Sequence, residues 1–180
     1  EKSLKRLQTD YIDVLYLHHW DEHAALEQSL SALNTLVEQG KVLYCGVSNF
    51  AAWQALKAVE TAKAHGYPPI VCIQPMYSLV KRQVEVEILP MAEHERLAVV
   101  PYNAIGAGLL TGKYLAGAKG RLTEAEMYRQ RYDNPQYVEI TQRFVDYAKT
   151  LGVSPAALAV EWVRSHPLVT SAIIGVRNMA

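Results

Sequence analysis

Asp13-Val14-Leu15-Tyr16-Leu17-His18-His19-Trp20-Asp21 is a mostly apolar run that ends abruptly in polar groups. Three similar runs follow it: Val42 to Val47, Ile70 to Ile73 and Leu97 to Val100. They recur at a spacing of roughly 28 to 30 residues, as consecutive βα units do. Strands that are apolar throughout, rather than at alternate positions, belong to a parallel sheet covered on both faces. Two architectures use such units: an open doubly wound sheet and a closed (β/α)₈ barrel. The first calls for a glycine-rich turn after its opening strand. Here that strand runs into His-His-Trp-Asp, with no glycine. Polar residues stand instead at the C-terminal end of every strand: His19, Ser48-Asn49, Gln74, Tyr102-Asn103 and Gly175-Val176-Arg177. A barrel of this type builds its active site on that rim. The reading is an α/β fold of the TIM-barrel class.

The helices between the strands are legible from their spacing. Leu26, Leu30, Leu33 and Val37 recur at three or four residues behind Asp21, a capping residue type, and Gly40 follows at the expected C-terminal cap. Ser48 is the expected cap of a second helix, which buries Trp53, Leu56 and Val59 and stops at Gly66. Val84, Ile88 and Met91 mark a less regular helix. From Gly106 to Tyr137 the pattern breaks into a long loop rich in Gly, Tyr and charge, with at most short helices. Tyr137 to Leu151 reads as a helix closing on Gly152, and Ser154-Pro155 opens another that carries Leu158, Val160, Trp162 and Val163. Pro167 ends it, and Thr170 to Ile174 reads as a final strand.

Composition narrows the function classes. Of the 180 residues 50% are apolar and 20% charged, with 18 basic and 18 acidic side chains. That balance argues against a nucleic-acid partner and against an acidic solvating tail. No apolar stretch approaches the roughly 18 residues that a membrane helix needs. Cys45 and Cys72 lie in strand-like runs, so neither a disulfide framework nor a four-ligand metal site is expected, and a reducing, cytoplasmic setting is the default. The chain begins at Glu1 in what reads as a helix and ends at Ala180 just after a strand and turn. Both ends are expected to be cuts in a longer protein.

Five motifs, in order, carry a family resemblance. Leu4, Leu7, Asp10-Tyr11, Asp13 and Leu15-Tyr16-Leu17-His18-His19 resemble the fourth strand of aldo-keto reductases and the helix before it. Gly46-Val47-Ser48-Asn49-Phe50 is similar to the fifth strand, and Gln74 with Pro75 and Tyr77 to the sixth. Tyr102-Asn103-Ala104-Ile105-Gly106-Ala107-Gly108-Leu109-Leu110-Thr111-Gly112-Lys113-Tyr114 resembles the seventh strand and its loop. Ile173-Ile174-Gly175-Val176-Arg177-Asn178 resembles the eighth. Gln8 departs from the family, standing where a glycine is usual before the Asp-Tyr pair. The resemblance implies one partial domain over residues 1–180: an incomplete (β/α)₈ barrel of about five βα units, with its first three strands upstream of Glu1. Such a fragment has open sheet edges, and the expectation is poor solubility or association with a copy of itself or with the missing part.

The resemblance also implies an NADPH-dependent reduction of aldehyde or ketone carbonyls. His19 shares a face with Leu15 and Leu17 by alternation, while His18 points the other way. The family's catalytic histidine falls on His19, where an imidazole orients and polarises a substrate carbonyl. Ser48, Asn49 and Gln74 offer the donors and acceptors that a nicotinamide carboxamide needs. Read without the family, Ser48 is equally a cap and Asn49 a turn residue. Tyr102 occupies the position that stacks on the nicotinamide ring. Asn103, Ala104, Ile105, Gly106 and Gly108 form a small-residue segment expected to expose backbone N–H groups to a pyrophosphate. Lys113 resembles a phosphate contact. Gly175 and Arg177 end the last strand, where a guanidinium gripping the 2′-phosphate favours NADPH over NADH. The family's aspartate, tyrosine and lysine lie on the first three strands, so no residue here takes their roles, Tyr11, Tyr16 and Tyr44 included. Two other readings stand beside this one: a non-enzymatic nucleotide-sensing subunit like the potassium-channel β subunits, and an unrelated barrel that binds a phosphorylated sugar.

Overall fold

The computed structural model describes residues 1–175. Their contacts gather into two compact units, one of residues 1–75 with 85–100 and the other of residues 76–84 with the chain from Pro101 onward.

The first unit holds α1 (Lys2–Leu7), β1 (Ile12–Leu17), α2 (Leu26–Glu38), β2 (Val42–Ser48), α3 (Ala52–His65), β3 (Ile70–Gln74), α4 (Ile88–His94) and β4 (Ala98–Val99). All four strands are parallel and lie in the order β1-β2-β3-β4. Sequential order with right-handed crossovers puts every connecting helix on the same face, which is how a barrel wall is laid down. Register explains the core. Leu17, Val47, Ile73 and Val99 face one another across the four strands, and the last three are at most 1% exposed. Leu26 of α2 lines a small cavity with Leu17, so this row faces the helices. The row one residue earlier, Tyr16-Gly46-Cys72-Ala98, looks the other way because side chains alternate along a strand.

The helices correct three expectations. In α3 the buried residues are Ala55, Ala58 and Ala62. Trp53 and Leu56, expected inside, are 58% and 38% exposed. Three alanines at helical spacing let the helix approach its sheet closely, and the large side chains rotate outward. Its N-cap position is Ala51, whose N–H donates to Gln54 Oε1 at 2.8 Å, so Ser48 does not cap it. Asp21 likewise accepts from the His23 N–H at 2.9 Å in a local turn, and α2 starts five residues later. Gln8 adopts φ 55° and ψ 45° as the C-cap of α1, the left-handed conformation that explains the usual glycine.

The second unit holds α5 (Arg121–Glu124), α6 (Glu126–Arg131), α7 (Gln136–Thr150) and α8 (Pro155–Arg164), with a 3₁₀ segment at Gly106–Thr111. Its core joins Val80, Ala107, Leu109, Leu110, Tyr132, Phe144 and Ala159. The final strand expected over Thr170 to Ile174 does not form a ladder: the Ile173 N–H donates to the Pro101 carbonyl at 2.8 Å. Val176, Arg177 and Asn178 lie outside the described residues, so the expected 2′-phosphate contact at Arg177 lies there too. None of the described helices is long and apolar enough to cross a membrane.

Candidate functional site

In the first unit the site grows from three adjacent strand ends. Ser48 closes β2 and Gln74 closes β3 in register. The Ser48 hydroxyl donates to the Gln74 carbonyl at 2.9 Å. Asn49 leaves β2 with φ 54°, a conformation that Asn tolerates better than most residues. That turn brings its amide nitrogen to the His18 carbonyl at 2.9 Å and to Ser48 Oγ at 3.1 Å. Ser48, Asn49 and Gln74 are thus one network with the backbone of the histidine pair. Its Ser48 end is buried, with Ser48 1% exposed, and the low local dielectric strengthens the bonds there.

His18 and His19 both stand exposed at the end of β1, with ring centroids 4.3 Å apart in an edge arrangement. His19 borders a cavity of about 40 Å³ with Leu17, Trp20, Leu26 and Phe50 among its walls. That is far below the roughly 300–1,000 Å³ of a ligand cleft, so this cavity is a packing gap beside the histidine. Trp20 packs edge-on against Phe50 and Trp53, at 5.5 and 5.3 Å.

One cluster here escaped the sequence reading. The Tyr16 ring lies across Gly46, where an added Cβ would sit 2.7 Å from the ring and 2.6 Å from Cys72 Sγ. The Cys72 thiol donates to the Tyr16 hydroxyl at 3.4 Å, and the Gln74 side chain also bonds to that hydroxyl. Burial pushes the Tyr16 phenol up to about 12 and raises the Cys72 and Cys45 thiols. The signal was available: alternation puts Tyr16 opposite Leu15 and Leu17, and a glycine in the neighbouring strand marks room for a ring.

In the second unit Tyr102 is half-buried and bridges Met76, with its carbonyl accepting from the Tyr77 N–H at 3.2 Å. Burial raises its phenol, against the pull of the Arg131 charge. Asn103 and Ala107 both take left-handed backbone, at φ 67° and 56°. Asn103 holds that shape with both ends of its amide: Oδ1 accepts from the Ala107 N–H at 2.6 Å, and Nδ2 donates to the Tyr132 hydroxyl at 2.6 Å. The Tyr114 hydroxyl adds a bond to the Ala107 carbonyl at 3.1 Å.

The segment differs from expectation in one respect. The N–H groups of Gly106, Gly108 and Leu110 donate to carbonyls of Asn103 and Ile105. With the Ala107 N–H they are used inside the loop rather than presented to a ligand. The loop ties itself into a tight turn because small residues and glycine φ values of 59° and 91° at Gly106 and Gly108 permit it. Ala104 is buried and Ile105 half-buried. Lys113 folds back over this turn: a Cβ on Gly108 or Gly120 would lie 3.2 or 2.7 Å from its Nζ. Gly175 is exposed.

In the first unit, the amide and hydroxyl groups of Ser48, Asn49 and Gln74 are donors and acceptors of the kind a carboxamide pairs with. In the second unit, Tyr102 presents a half-buried aromatic ring and the Lys113 ammonium lies over Gly108 and Gly120.

The family model described as aldo/keto reductase family matches residues 1–180. Among curated relatives, the uncharacterized oxidoreductase YrpG of Bacillus subtilis is 38% identical, covering 99% of this chain and 54% of that protein. Protein tas of Escherichia coli is 35% identical, covering 98% of this chain and 57% of its own length. The putative aryl-alcohol dehydrogenase AAD14 of Saccharomyces cerevisiae is 35% identical, covering 98% and 48%. The chain thus spans about half the length of the curated relatives it matches.

Proposed function

Since the chain belongs to the aldo/keto reductase family, we propose that it is part of an oxidoreductase that reduces aldehyde or ketone carbonyls to alcohols with NADPH. The observation that carries the proposal is the Ser48–Asn49–Gln74 network, tied at its edge to the backbone of the histidine pair. When bound, NADPH supplies the hydride for the carbonyl carbon, and the carbonyl oxygen takes up a proton, which balances NADPH, H⁺ and carbonyl against NADP⁺ and alcohol. The chain's own residues bind and orient. Ser48, Asn49 and Gln74 hold the carboxamide and so set which ring face meets the substrate. Tyr102 stacks on the ring. Asn103, Ala104, Ile105, Gly106, Gly108 and Lys113 take the phosphate side, and Gly175 with Arg177 selects the 2′-phosphate. His19 orients the carbonyl oxygen, and the proton comes from a residue outside this chain.

The test is His19→Ala in the full-length protein. Turnover falls by about 10²-fold or more, the scale of a lost acid–base or polarising group, while NADPH affinity stays within about twofold. Preserved turnover with lost affinity would remove His19 from the chemistry. Absence of any hydride transfer in the wild type would favour a nucleotide-sensing subunit.

Two further proposals accompany this one. The protein works in the cytoplasm, a reading supported by two buried, unpaired thiols, Cys45 and Cys72. The 180-residue chain alone self-associates, because β1 is an edge strand of the described sheet and Leu43 and Tyr44 are 47% and 55% exposed. Sedimentation of a clean monomer would contradict the second.

A further inference from the structure

Tyr16 is a half-buried phenol that the proposed reaction leaves without a task. It stands on β1, two strands over from Gln74, yet the two side chains meet. Register sets this up: Tyr16 pairs with Gly46, and Gly46 with Cys72. Side chains alternate along a strand, so Cys72 and Gln74 share one face of β3. Gly46 carries nothing on that face, and the Tyr16 ring lies 2.7 Å from where a Cβ there would sit. The ring thereby crosses β2 and brings its hydroxyl to β3. There the Cys72 thiol donates to it at 3.4 Å, and the Gln74 side chain bonds to it as well.

A glutamine amide has two unlike ends that a half-turn exchanges: Nε2 donates and Oε1 accepts. The phenol settles which end goes where. Burial pushes the Tyr16 phenol up, and the bond from Gln74 pulls the other way. A partner that favours the phenolate is a donor, so Nε2 turns to Tyr16 and Oε1 is left to accept from a ligand. A side chain held in place beforehand also loses less freedom when the ligand arrives.

We infer that Tyr16 is a positioning residue, whose hydroxyl, reaching across Gly46, holds the Gln74 amide so that Oε1 accepts from the carboxamide NH₂ of the nicotinamide. The inference rests on the proposed function and deepens it. Selection of an amide over other substituents on that ring is traced to a residue one hydrogen bond removed from the cofactor.

Two nucleotides that differ only in that NH₂ test it by calorimetry on the full-length protein: NADP⁺ and its 3-acetylpyridine analogue, in which a methyl ketone replaces the carboxamide. The wild type binds NADP⁺ about tenfold more tightly, the scale of a buried acceptor left without its donor. Tyr16→Phe keeps the ring over Gly46 and removes only the hydroxyl. It brings the two dissociation constants within about twofold of each other by weakening NADP⁺. Gln74→Ala does the same, and adding Tyr16→Phe to it changes neither constant further, because Tyr16 acts only through Gln74. A phenol with a merely structural role would instead lower the thermal midpoint and weaken both nucleotides alike. That result, a preference that survives Tyr16→Phe, or a wild type that binds both nucleotides equally would overturn the assignment. A wild type that binds neither would overturn the proposed function itself, a result distinct from any of these.

Discussion

The two units hold their chemical groups by different means. In the first, each strand-end residue is placed by ladder register: Ser48 meets Gln74 because β2 pairs with β3, and the row Leu17-Val47-Ile73-Val99 fixes that pairing from the helix side. In the second, no ladder positions the loop after Tyr102. Left-handed Asn103 and Ala107 are pinned by hydroxyls of Tyr132 and Tyr114 and by the Asn103 amide. One unit stores its geometry in apolar packing, the other in a few directional bonds. The first kind of geometry resists single polar changes and fails on volume changes; the second does the reverse.

Volume changes in the sheet unit are therefore the harshest way to break this contrast. Ile73, which is 0% exposed, sits mid-row, and Ile73→Ala lowers stability by about 3 kcal/mol in urea unfolding. Gly46→Ala forces a Cβ into the Tyr16 ring and Cys72 Sγ and costs about 2 kcal/mol by overpacking. A loss under about 0.5 kcal/mol in either would mean that register is set elsewhere. In the loop unit, Tyr132→Phe deletes one hydroxyl, at a cost of about 1–2 kcal/mol. Its sharper signature is faster amide exchange at Ala107, whose N–H is held by Asn103; unchanged exchange would show that the loop needs no phenol.

Smaller effects refine the picture. Gln8→Gly relieves left-handed strain at φ 55° and adds about 0.5–1 kcal/mol. A thermal melt that moves down instead would mean that the Gln8 side chain does more than turn the chain. The smallest effect is alkaline. The Tyr16 phenol is raised to about 12 from its ordinary 10. The folded state thus keeps a proton that the unfolded chain releases between those values, and stability falls as pH rises through that window. The contribution is complete below pH 10. Tyr16→Phe flattens this part of the profile, and an unchanged slope would place the effect on other groups.

The same contrast explains what could be read beforehand. The strands, their parallel order and the rim positions followed from apolar runs and polar ends, because register and burial in a parallel sheet are written in residue type. Phase within a helix was less secure. Trp53 and Leu56 drew the reading of α3 by size, whereas Ala55, Ala58 and Ala62 face the sheet. Tyr16 was passed over because it does not take the role of the family's tyrosine, although the gap at Gly46 was visible. The loop resisted most: small residues after Tyr102 suggested exposed N–H groups, and only tertiary bonds from Tyr114 and Tyr132 reveal that the turn consumes its own.

The central claim is that the strand-end network is a nicotinamide site, and a fluorescence titration of the full-length protein with NADPH tests it most directly. Saturable binding in the wild type, weakened about tenfold by Gln74→Ala with the fold intact by circular dichroism, is the predicted result. A wild type that gives no saturable signal, or a Gln74→Ala variant that binds NADPH as tightly as the wild type, would contradict it.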